Sequence, residues 1–127
     1  MQEKHLFEYA VIRVVPRVER EEFLNVGVVL FCAKQKFLKC MYSISASRIQ
    51  ALCNEIDLQE LEANLQAFDR ICQGGREAGP IGELSPPERF RWLTAARSTV
   101  VQASKVHPGL CAAPEQKLQQ LFQQLVL

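Results

Sequence analysis

Paired cysteines are the first thing this sequence does without. Its five cysteines, Cys32, Cys40, Cys53, Cys72 and Cys111, are odd in number and irregular in spacing, and none form a Cys-x-x-Cys pair. Zinc and redox motifs need such spacing. Cysteines in apolar company such as Val29-Leu30-Phe31-Cys32 read instead as small buried hydrophobes. Charge of one sign is missing too. Fifteen Lys and Arg against fourteen Asp and Glu leave a net charge of +1, which argues against a nucleic-acid binder working by bulk electrostatics but leaves a local basic patch open. No apolar run approaches the ~20 residues that cross a bilayer. The polar break His5–Glu8 interrupts any leading apolar stretch before it could act as a signal peptide. The expectation is a soluble, cytoplasmic single domain over residues 1–127, with no metal and no cofactor.

Catalytic signatures are equally scarce. There is no nucleophile elbow, no His-Glu-x-x-His and no pair of carboxylates in a polar motif. The glycine-rich stretch from Gly74 to Leu84 lacks the Gly-Lys-Ser/Thr ending of a phosphate-binding loop and follows a helix pattern. Acid–base chemistry by paired carboxylates therefore has no support.

What is present is a readable order of elements. Leu6 to Val15 is almost continuously apolar and β-branched, as in a strand buried on both faces, and Pro16 ends it. Phe23 to Cys32 and Phe37 to Ile44 read as the next two strands of an antiparallel meander. Ser45 or Ser47 can cap a short helix carrying Ile49 and Leu52. Asp57 caps a longer one with Leu58, Leu61, Leu65, Phe68 and Ile71 at helical spacing, stopped by Gly74-Gly75. Ser85-Pro86-Pro87-Glu88 opens a third helix running to about Ala96, with Phe90, Trp92 and Leu93 as core. Ser98 to Ser104 reads as a fourth strand, His107-Pro108-Gly109 as a turn, and Pro114 opens a last helix with an apolar stripe. The order β-β-β-α-α-α-β-α is that of an α+β domain: an antiparallel sheet of about four strands with the helices packed on one face.

Several polar residues break these patterns. The segment Arg89 to Gly109 holds the only Trp, three Arg and one of the two His among many hydroxyl and amide side chains. Arg13 interrupts a strand that otherwise reads as buried, and a buried Arg needs a partner. Asn25 and Gly27 interrupt the second strand. With the first hairpin centred near Glu19, Arg13 lies opposite Asn25 and Val11 opposite Gly27, a register that a one-residue slip would undo. One reading makes Arg13 and Asn25 an anion or amide site, with Gly27 leaving room for a ligand. The other lays the Arg13 stem flat with its head in water and puts Asn25 on a bulge. Arg97 sits at the junction of the third helix and the fourth strand, where it reaches a ligand or satisfies helix carbonyls, while Ser98 and Gln102 on that strand are either binding residues or a solvated face shared with Ser104. His107 is the one candidate general acid or base, but no second His lies at metal spacing.

The segments Tyr9-Ala10-Val11-Ile12-Arg13-Val14-Val15-Pro16 and Glu22-Phe23-Leu24-Asn25-Val26-Gly27-Val28-Val29-Leu30 carry a resemblance. So do Arg89-Phe90-Arg91-Trp92-Leu93 through Arg97-Ser98-Thr99, the turn Val106-His107-Pro108-Gly109-Leu110 and the final helix. Together they resemble the bacterial domain-of-unknown-function family numbered 3037. The resemblance brings no established activity. Some members are encoded beside proteins of HipA-like kinase fold, which implies an accessory role, and Arg13, Asn25, Gly27 and Arg97 fall on its matching positions.

Three functions follow as expectations. The first is a non-catalytic accessory module that binds a protein partner. The second is a small enzyme for a phosphorylated or nucleic-acid substrate, with Arg13 and Arg97 clamping an oxyanion and His107 moving a proton. The third is a nucleic-acid-binding surface made of Arg89, Arg91, Arg97 and Lys105.

Overall fold

The computed structural model describes residues 3–97 and 99–127. Strands β1 (His5–Val14), β2 (Leu24–Cys32) and β3 (Phe37–Tyr42) form the expected antiparallel meander. Helices α1 (Ala46–Leu52), α2 (Leu58–Gln73) and α3 (Pro86–Thr94) follow, then β4 (Val101–Ala103), β5 (His107–Cys111) and α4 (Pro114–Leu125). The domain is α+β with an open, five-stranded antiparallel sheet. In space the sheet has four lanes, because β4 and β5 pair end to end along the same edge of β1, giving β3-β2-β1-(β4, β5).

The break between β4 and β5 is sealed by one hydroxyl. Ser104 donates its main-chain N–H to the Val11 carbonyl at 2.8 Å. Its side-chain oxygen then accepts the Val11 N–H at 2.8 Å, where a strand would offer a carbonyl. Ser104 is therefore buried rather than part of a solvated face. The turn expected at His107-Pro108-Gly109 is strand: the Phe7 ring lies directly over Gly109, where a Cβ would come within 2.6 Å of it.

The helix caps follow the sequence. Asp57 Oδ1 accepts from the N–H groups of Gln59 and Glu60, and Ser45 accepts from Arg48 N–H. Gly74 ends α2 at φ 79°, in the left-handed region. Ser85 makes no bond to the α3 backbone and instead donates to Glu88 Oε1 at 2.7 Å.

The helices do not all share one face. On one side Ala10, Ile12 and Val14 of β1 pack with Val29 and Phe31 of β2 against α1, α2 and α3. On the other, Phe7, Val28 and Leu30 pack against Leu118, Leu121 and Phe122 of α4. The expectation of helices on a single face is corrected on this point. A strand apolar on both faces has to be covered twice, since exposed Val and Leu would forfeit about 25 cal/mol per Å² of burial. Trp92 is also not core. It is 40% exposed on the outer side of α3, while Phe90 and Leu93 face inward.

Candidate functional site

Three of the polar residues named above stand in one row across the sheet. Arg13 is paired with Asn25 of β2 on one side and with Gln102 of β4 on the other. The row depends on a bulge. Between Ile12 and Arg13 the pairing slips by one residue, so that Ile12 faces Gly27, Arg13 faces Asn25 and Val26 is the extra residue. The Arg13–Asn25 register is the one expected, whereas Gly27 stands opposite Ile12 rather than Val11. Since Ile12 and Val14 point into the α1–α3 core, alternation turns Arg13 to the α4 side.

Each member of the row has a definable state. Asn25 donates Nδ2–H to the Leu125 carbonyl at 3.1 Å, tying β2 to the last turn of α4. Arg48 donates to the next free carbonyl, Val126 O, at 3.0 Å, so both side chains satisfy carbonyls that the helix end leaves open. Gln102 Nε2 donates to Thr99 O at 2.8 Å. Arg13 is half-buried, with its guanidinium carbon 4.0 Å from the ring centre of Phe23, which is 47% exposed. Arg13 Nε and Asn25 Oδ1 are buried, and neither has a hydrogen-bond partner among the described residues. Leaving such a group unpaired costs on the order of 1–3 kcal/mol.

The other expected site residues do not join this row. The space beside Gly27 is taken: a Cβ there would lie 2.6 Å from the Met41 carbonyl and 2.9 Å from Tyr42 Cβ. The glycine serves close strand packing and leaves no room for a ligand. Arg97 stacks on Trp92 at 4.2 Å and donates to the Trp92 and Leu93 carbonyls, capping α3 on the opposite side of the sheet from Arg13. Ser98 lies outside the described residues. His107 pairs with Tyr9, their ring centres 5.3 Å apart. Tyr9 precedes Arg13 by four residues, so at about 3.3 Å per residue His107 stands roughly 13 Å from the row.

Sequence reasoning missed Phe23, and it took Arg89 for part of a nucleic-acid surface, not for a cation that closes a helix end. Phe23 looked like the first residue of a strand, and only the structure lays it on Arg13. Arg89 is 9% exposed and donates to the carbonyls of Leu84, Ile71 and Cys72, the last two closing the end of α2. Its sequence context gave no signal of that role, because two of the three carbonyls it meets come from α2, 17 and 18 residues earlier.

Two clefts, of about 330 and 280 Å³, lie just beyond the end of β1 that carries Arg13. Both are lined by Pro16, Arg17, Cys53 and Glu55, and the exposed Arg17–Glu55 ion pair at 3.4 Å belongs to both walls. Among the described residues no three His, Cys, Asp or Glu side chains converge as metal ligands. Cys40 donates to Asp69 Oδ1 at 3.5 Å. The neighbouring Cys72 thiol and burial push the Cys40 thiol far above its ordinary range, which keeps it protonated and inert. No described helix is long and apolar enough to cross a membrane.

A family model described as a protein of unknown function, DUF3037, matches residues 9–126. The chain belongs to DUF3037. No curated protein and no solved structure matches it. The span shared with DUF3037 takes in the whole row, the α4 terminus that Asn25 holds, and both Arg–aromatic stacks.

Proposed function

We propose that the chain is a non-catalytic module of the bacterial cytoplasm that docks a protein partner on the face carrying Arg13, Phe23, Asn25 and Gln102. A protein of HipA-like kinase fold is the partner that family context favours. One observation carries the reading: the Arg13 guanidinium lies on a half-exposed aromatic ring, and its buried Nε has no hydrogen-bond partner among the described residues. Arginine and aromatic side chains dominate the energetics of protein interfaces, and a guanidinium already desolvated on one face loses less on docking.

The enzyme reading needs Arg13, Arg97 and His107 together, and they stand apart. The nucleic-acid reading needs free guanidinium groups, and those of Arg89 and Arg97 are engaged with helix carbonyls. To test the docking reading, the chain is tagged at native expression level and its stoichiometric partner identified. Affinity is then measured for Arg13→Met and for Arg91→Ala, a control on the exposed side of α3. A loss of at least about tenfold for Arg13→Met alone is expected, equivalent to about 1.4 kcal/mol. Equal affinity for wild type and Arg13→Met would remove this face as the interface.

A further inference from the structure

The two unpaired atoms of the row are complementary. Because Asn25 Nδ2 must face the Leu125 carbonyl to donate, the orientation of the amide is settled and the free end is Oδ1, an acceptor. The free atom of Arg13 is Nε, which carries a proton and is a donor. The residues are direct cross-strand partners, so their Cβ atoms stand about 4.5–5.5 Å apart. Each atom lacks what the other offers, yet they do not bond to one another.

A ligand that satisfies both must present an acceptor to Arg13 and a donor to Asn25, and one that does so through two atoms carries them along one edge. A carboxylate or phosphate offers acceptors alone and would set an oxygen against Asn25 Oδ1. A trans peptide group points its C=O and N–H in opposite directions. A primary carboxamide carries C=O and N–H side by side, the pairing that lets Asn and Gln bind bidentately. Resting on the docking reading above, we propose that Arg13 and Asn25 receive the carboxamide of an Asn or Gln side chain on the protein partner. Its oxygen accepts from Arg13 Nε and its N–H donates to Asn25 Oδ1. Phe23 lies over the guanidinium just ahead of β2 and is the side chain that has to turn aside to admit it.

The test uses the full, nitrogen-15-labelled chain and follows the Arg13 Nε–H and Asn25 side-chain resonances. Acetamide, N-methylacetamide, N,N-dimethylacetamide, acetate and inorganic phosphate are titrated at constant ionic strength, on wild type and on Phe23→Ala. Acetamide is expected to give a saturable shift at both resonances, at concentrations at least threefold lower in Phe23→Ala. The other probes are expected to need at least ten times more. Acetate or phosphate acting as well as acetamide would make this an anion site. Dimethylacetamide acting as well would show that no donor is needed, and N-methylacetamide acting as well would assign a main-chain group instead. Silence from all probes in both chains would mean that a bridging water or a direct Arg13–Asn25 bond already satisfies the pair. Each of these overturns the carboxamide. If partner affinity still falls in Arg13→Met, the docking face stands without it; if acetamide binds while partner affinity is unchanged, the docking reading fails.

Discussion

At the junction of α2 and α3, the guanidinium of Arg89 is surrounded by three main-chain carbonyls, two of them at 2.7 Å. Gly74 bends away there at positive φ, and a Cβ on it would come 2.8 Å from the Arg89 guanidinium. Across the sheet, Arg13 is also drawn in among apolar neighbours but rests on one aromatic ring, with its Nε unpaired. The first region shows how this fold treats a cation it needs for its own stability: Nε and Nη1 donate to three carbonyls, two of them at the end of α2, where positive charge is favoured. Measured against that standard, Arg13 is a group the fold tolerates without using.

The comparison is broken most directly by removing each arginine. Arg89→Met leaves two α2 carbonyls and the Leu84 carbonyl without a donor in a buried place, and is expected to cost about 3 kcal/mol in urea denaturation. Arg13→Met keeps the stem packing and is expected to stay within about 1 kcal/mol of wild type. Equal losses for the two would return Arg13 to a purely structural role. Next in size, Gly27→Ala drives a methyl against the Met41 carbonyl, for an expected loss of about 2 kcal/mol in the same measurement. An unchanged midpoint would reopen Gly27 as ligand space. Ser104→Ala leaves the Val11 N–H without its acceptor and should cost about 1–2 kcal/mol, with faster hydrogen exchange at Val11 as the specific sign.

The smallest expected effect concerns an exposed pair. The Lys39 ammonium, 2.9 Å from Glu115, holds that carboxyl below its ordinary range. A carboxyl with a depressed folded value stabilises above its unfolded pKa of about 4.3, and the contribution disappears as pH falls through the folded value. Both side chains are about half exposed, so screening limits the contribution to about 0.5 kcal/mol. Between pH 6 and pH 3 wild type should therefore lose slightly more stability than Glu115→Gln in parallel denaturation curves.

What could be read from the sequence, and what could not, divides along physical lines. The first three strands, the Asp57 and Ser45 caps, the Gly74 stop and the Arg13–Asn25 pairing all rest on short-range periodicity and cap chemistry, and each is where it was expected, whereas the fourth strand is shorter than its pattern and a fifth stands where a turn was read. The second face of the sheet was implied by the unbroken apolar run of β1, yet hydrophobic periodicity does not say which helix covers which side. The bulge at Val26 leaves no mark in composition, and with it went the pairing of Gly27. For Arg97 two readings were open, a ligand or the carbonyls of the preceding helix, and those carbonyls occupy it. Phe23 became visible only as the surface under a guanidinium from the neighbouring strand.

The bond from Ser104 to Val11 spans 93 residues of chain, and this has a consequence for how the protein is made. β1 is an interior lane and among the most apolar segments, yet one of its edges and one of its faces are closed only by β4, β5 and α4. At a synthesis rate of about 5–20 residues per second, β1 waits roughly 5–20 seconds after leaving the ribosome before its last neighbours arrive. Contacts so distant in sequence slow the final closure, and during the delay an unpaired, apolar strand edge is open to other chains. The vulnerability of this domain thus lies in time, in the interval before Ser104 reaches Val11.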